Sequence, residues 1–160
     1  MSQQTIISLL EELGGLAILC ESGRQALRIA AHNLRDPDLV KLLDSYAACY
    51  GGFASVLREE IDHLNGQPRP HPELGETLHK GWLNINAALI IEEGLAAGEV
   101  LSVGREALAD VVRAYRQALL WPMPADVRSL LEYQYSRSKA MHDELLSQEQ
   151  SVWAAALEEE

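Results

Sequence analysis

The chain has 160 residues, enough for one well-packed domain and too few for two of ordinary size. Hydrophobic residues make up 48% and charged residues 23%, which excludes a disordered or collagen-like chain. The net charge of −11 repels nucleic-acid phosphates and anionic membrane faces, so neither is an expected partner. Met1 to Ile7 has no basic stretch ahead of an apolar one, so no secretory signal is expected. The longest apolar runs, Leu16 to Cys20 and Ala87 to Ile91, fall well short of the ~20 residues that cross a bilayer. Cys20 and Cys49 form no CxxC or zinc pattern, and a reduced, cytoplasmic setting is expected.

Apolar residues recurring every three or four positions predict a first helix over Ser2 to Asn33. Its stripe runs through Ile6, Leu9, Leu10, Leu13, Leu16, Ala17, Cys20, Leu27 and Ala31 to Leu34 beyond its end. Gly14, Gly15 and Gly23 weaken it locally or mark close packing against a neighbour. Asp36-Pro37-Asp38 is a start signal: Asp36 caps, Pro37 suits the first turn, and Asp38 meets the positive end of the dipole. The second helix then runs from Pro37 to about Leu64, with Leu39, Leu43, Tyr46, Tyr50, Phe53, Val56, Leu57, Glu60 and Ile61 on its stripe. Asn65-Gly66 ends it, and Pro68 and Pro70 block continuation.

A shorter helix over Pro72 to Glu93 carries His79 and Trp82, after which Gly94 and Gly98 loosen the chain. A further long helix is expected from Glu99 to Leu120, then a turn at Trp121-Pro122-Met123-Pro124. The last helix follows from Pro124 to Leu157. Its inward positions include Val127, Leu131, Gln134, Met141, Leu145 and Val152. No strand-like alternation occurs. Two short links and one long one, about 66–97, predict a single all-α domain over 1–160. The expected fold is a four-helix bundle with a long, partly helical crossover between helices 2 and 3, a connectivity like that of ferritin-like folds.

Several motifs occur in a characteristic order: Asp36-Pro37-x-Leu39, Leu78-His79-x-Gly81-Trp82, Ala114-Tyr115-Arg116-x-Ala118-Leu119, Pro124-Ala125-Asp126-Val127-Arg128, and Lys139-x-x-His142-Asp143. In these the chain resembles an uncharacterised bacterial family of ferritin-like four-helix-bundle proteins. The resemblance implies the bundle fold. Metal-competent members of that family place acids where this chain has Arg24, Val56, Arg105 and Leu108, and none of these can ligate a metal ion.

A ferritin-like di-metal centre needs one glutamate from each of two helices and Glu-x-x-His from the other two. Glu60-Ile61-Asp62-His63 matches, because the spacing of three puts carboxylate and imidazole on one face. Glu132 is followed at the required spacing by Tyr135 instead of histidine. Glu60 and His63 are read as a polar pair at a helix end, or as the remnant of an iron or manganese site. His79 and Trp82 are an anchor for the crossover or a ligand pocket. Gln134, Tyr135 and His142 interrupt an apolar stripe and would form a buried hydrogen-bonded network or a ligand contact. Arg24 faces inward and would pair with Glu60 or Glu132. The leading expectation is a non-enzymatic binding or interaction protein with an incomplete di-metal site, no resident cofactor, and a homodimeric assembly. The alternatives are a di-iron or di-manganese carboxylate protein and a carrier of a small apolar ligand.

Overall fold

A computed structural model describes residues 2–64 and 95–158, and every statement below concerns these. They form four helices: α1 (Gln3–His32), α2 (Pro37–His63), α3 (Ala97–Ala118) and α4 (Ala125–Glu158). The crossover, with His79, Trp82 and the helix expected over 72–93, lies outside the described residues, as do Asn65 and Gly66 at the expected end of α2.

The helix starts follow local chemistry. Ser2 caps α1 by accepting the Thr5 amide at 3.1 Å, and Asp36 caps α2 by accepting the Asp38 amide at 2.9 Å. Pro37 occupies the first turn of α2, as its fixed φ favours. At the α3–α4 turn the Arg128 guanidinium donates to the carbonyls of Leu119 and Trp121, at 2.8 and 3.0 Å. It thereby satisfies carbonyls left over where α3 ends.

The element pairs set the topology. α1 packs on α2, α3 on α4, α1 on α3 and α2 on α4, and the helices of each diagonal stand farther apart. Arg58 reaches Glu21, Arg105 reaches Glu149, and Arg116 reaches Tyr135, so both sequential pairs are antiparallel. A cleft between the α1–α2 turn and Leu95 to Ala97 puts the start of α3 beside the start of α2. Those two helices therefore run parallel across the diagonal. A parallel pair at these positions is the arrangement expected from the loop lengths.

Most of the core is aliphatic, with Leu13, Leu16, Leu43, Leu57, Leu108 and Leu131 fully enclosed. Two expectations need correcting. Val56 is 38% exposed, because it sits at the edge of the thin α2–α4 seam. α3 begins two residues earlier than expected, and Gly98 lies inside it: a Cβ there would run into the Trp153 ring, so this glycine serves a close approach, not a loosened chain. Glu12 and Glu149 are buried although charge alone would place them outside; Glu149 is stabilised there by an ion pair with Arg105 at 2.5 Å.

Candidate functional site

The middle of the bundle holds a polar layer. Cys20 from α1, Tyr50 from α2, Tyr115 from α3, and Gln134 and Ser138 from α4 are all buried. Tyr115 Oη donates to Gln134 Oε1 at 2.7 Å. With its proton so committed, Tyr115 Oη accepts from the Cys20 thiol, whose Sγ lies 3.3 Å away. Gln134 Nε2 donates in turn to the Phe53 carbonyl at 3.4 Å. The relay takes one group from each of the four helices. Every hydrogen bond in it is long-range, so the bundle must be in one register to make them.

All of these groups are neutral. Burial pushes the Cys20 thiol up to about 12, with the Tyr115 hydrogen bond a smaller opposing influence. Burial also raises Tyr115 and Tyr50 far above the ordinary phenol range. The neighbouring Ser138 opposes that rise at Tyr50, yet neither hydroxyl completes a hydrogen bond. A thiol that stays protonated is neither nucleophile nor ligand.

This layer does not fit a di-metal centre. Such a centre needs anionic carboxylates and imidazoles, and the layer presents a thiol, two phenols, an amide and an alcohol. Among the described residues no group of three or more His, Cys, Asp or Glu converges as a metal cage would require. Glu60 and His63 part company: His63 is exposed, while Glu60 Oε1 is buried without a partner. A second Glu-x-x-His, Glu76-Thr77-Leu78-His79, escapes a reading centred on the helix stripes and lies outside the described residues.

The remaining sequence candidates disperse. Arg24 pairs with Glu21 at 3.2 Å, not with Glu60 or Glu132. The i, i+3 spacing puts that acid on Arg24's own face, and the arginine stem lies over Gly51, where a Cβ would come within 2.9 Å of Arg24 Cδ. Glu21 also meets Arg58 at 3.3 Å. Glu132 is exposed. Of the three expected network members only Gln134 joins. Tyr135 instead lies under the Arg116 guanidinium, 5.9 Å from its ring centre, and His142 Nδ1 meets its neighbour Asp143 at 3.0 Å. Cys20 and Tyr50 belong to the layer but read from sequence only as stripe residues, and Tyr115 only as part of a motif. Their signal was a thiol and a phenol at the same height as Gln134, visible only once helix registers are known.

A second feature opens on the α2–α4 seam. A cleft of about 250 Å³ is lined by Ser45, Tyr46, Arg137, Ala140, Met141 and Glu144. The Tyr46 hydroxyl donates to Glu144 Oε1 at 2.5 Å. Burial, and then that carboxylate, raise the phenol's pKa well above its ordinary range. Cys49, half-buried close by, is raised by burial and partly offset by Arg137. Both cysteines are free thiols. No helix among the described residues is long and apolar enough to cross a membrane. No family model matches the chain, and no curated protein matches it.

Proposed function

We propose that the protein is a non-enzymatic binding or interaction protein of the cytoplasm, built on a ferritin-like bundle and working as a homodimer. The observation that supports this reading is the neutral relay from Cys20 through Tyr115 and Gln134 to the Phe53 carbonyl. It occupies the place where a bundle of this kind would house reactive metal chemistry, and it supplies no base, nucleophile or anionic ligand. Its hydrogen bonds serve register and rigidity, and recognition falls to the surface.

One observation favours a second reading, in which Glu60 and His63 belong to an iron or manganese site: the buried, unpaired Glu60 Oε1. Elemental analysis of protein purified without chelator separates the two. The interaction reading expects fewer than about one transition-metal ion in ten chains. Roughly two ions per chain, with an absorption band on adding ferrous iron and air, would establish the di-metal reading instead.

A further inference from the structure

One end of the α2–α4 cleft has hydrogen-bond acceptors to spare. The Tyr46 hydroxyl commits its proton to Glu144 Oε1 at 2.5 Å, and the Ser45 hydroxyl commits its proton to the Leu42 carbonyl at 2.6 Å. Tyr46 Oη and Ser45 Oγ therefore keep only lone pairs for a further partner, and an ionised Glu144 is acceptor-only throughout. All three residues line the same space of about 250 Å³. Three acceptors, one of them charged, match the three N–H donors of a primary ammonium.

The other end has the opposite chemistry. Arg137 also lines the cleft, and a guanidinium offers donors and no acceptor. Burial raises Tyr46 and Cys49, and the Arg137 charge opposes that rise at both, so the guanidinium stands close to this seam. Among the described residues no ion pair includes Arg137 or Glu144, so the two charges do not cancel each other. They lie seven residues apart on α4, nearly two full turns, which puts them on one face with their roots roughly 10 Å apart along the axis. Ala140 falls between them, about a turn from each, and its methyl leaves a floor that a longer side chain would fill. The buried Met141 completes that apolar floor.

We infer that this cleft binds a small amino acid as its zwitterion, with the ammonium against Ser45, Tyr46 and Glu144 and the carboxylate against Arg137, above Ala140. This rests on the reading of the chain as a binding protein and names the class of its ligand. The lengths agree. An α-amino acid with one charge-assisted hydrogen bond at each end spans about 9 Å, close to the Arg137–Glu144 spacing. The cleft is smaller than the roughly 300–1,000 Å³ that drug-sized ligands need, which suits a molecule of few atoms. Charge selects the zwitterion. A free carboxylate meets the repulsion of Glu144 and of a chain carrying −11, and a simple amine leaves Arg137 without a partner. Arg137 and Glu144 are both exposed, so the affinity is modest, with a dissociation constant of about 1 mM.

Titration with L-alanine, followed by the backbone amide NMR shifts of residues 45–46 and 137–144, tests this. The shifts should saturate with a dissociation constant of about 1 mM. Ethylamine and propionate each keep one end of alanine, and each should bind about tenfold more weakly. Arg137→Gln should weaken alanine about tenfold and ethylamine not at all, a split that a merely structural role for the arginine would not give. Ala140→Leu should abolish binding with the helix intact, because the position is exposed and leucine is nearly as good a helix former. No saturable shift up to about 50 mM alanine, equal binding of alanine and ethylamine, or wild-type affinity in Ala140→Leu overturns the inference. The metal content judges the binding-protein reading separately, so the two can fail independently.

Discussion

Replacing Tyr115 by phenylalanine removes one oxygen from a fully enclosed site and leaves the ring in place. The loss reaches two neighbours. Gln134 Oε1 loses its donor at 2.7 Å, and the Cys20 thiol loses its acceptor. A buried amide oxygen without a partner costs about 1–3 kcal/mol, and a thiol, a weak donor, adds little. About 2 kcal/mol is expected, which for a domain of this size lowers Tm by roughly 4–8 °C. Urea titration followed by helical circular dichroism measures it, with an unchanged denaturant slope if the fold is intact. The decisive comparison is the double variant with Gln134→Leu. Removing both partners abolishes the orphaned acceptor, so the double variant should be more stable than the two single losses predict, by about 1–2 kcal/mol. Additive losses, or a Tyr115→Phe protein within about 0.5 kcal/mol of wild type, would refute the relay as a register-setting element.

Alkaline titration tests the burial of Cys20. Its thiol ionises near 9.0 when unfolded and at about 12 when folded, so between those values the folded chain binds the extra proton. Stability is therefore full below about pH 9 and falls as pH rises toward 12, by about 4 kcal/mol at most from this group. Tyr50 and Tyr115 act in the same direction above their ordinary 10.0. Cys20→Ala should flatten the first part of that decline, and a wild type equally stable at pH 8 and about pH 11 would contradict the assignment. Two glycines should respond oppositely to alanine. Gly52→Ala should stabilise by about 0.5–1 kcal/mol, since the new methyl meets nothing and helix propensity improves. Gly98→Ala should destabilise by about 1 kcal/mol and shift Trp153 fluorescence toward that of an exposed indole, because the ring must move aside. Thermal melts and emission spectra decide both, and equal responses at the two sites would show the Gly98–Trp153 contact to be absent.

Much of this architecture is a local property of the sequence. Asp36-Pro37-Asp38 starts a helix wherever it falls, because cap, ring and dipole act within one turn. The apolar spacing marks one face of each helix, and two short links beside one long link restrict how four helices connect. Charge likewise follows from composition. The positions that escape such reasoning depend on who sits opposite. Arg24 looked across the bundle for an acid and found one a turn away, because Gly51 on the facing helix lets its stem lie flat. Gly98 looked like a break and proved to be room for an indole. Val56 counted as core by its spacing and lies open, because the α2–α4 seam is thin.

Periodicity assigned each helix a buried side without saying at what height one helix meets the next. That height alone brings Cys20, Tyr115, Gln134 and the Phe53 carbonyl into one line. Hydrogen bonds tolerate a few tenths of an ångström, whereas sliding a helix by one residue moves a side chain about 1.5 Å along the axis and turns it aside. The inward faces were therefore decided residue by residue along the chain, and the polar centre only by the packing of four helices at once.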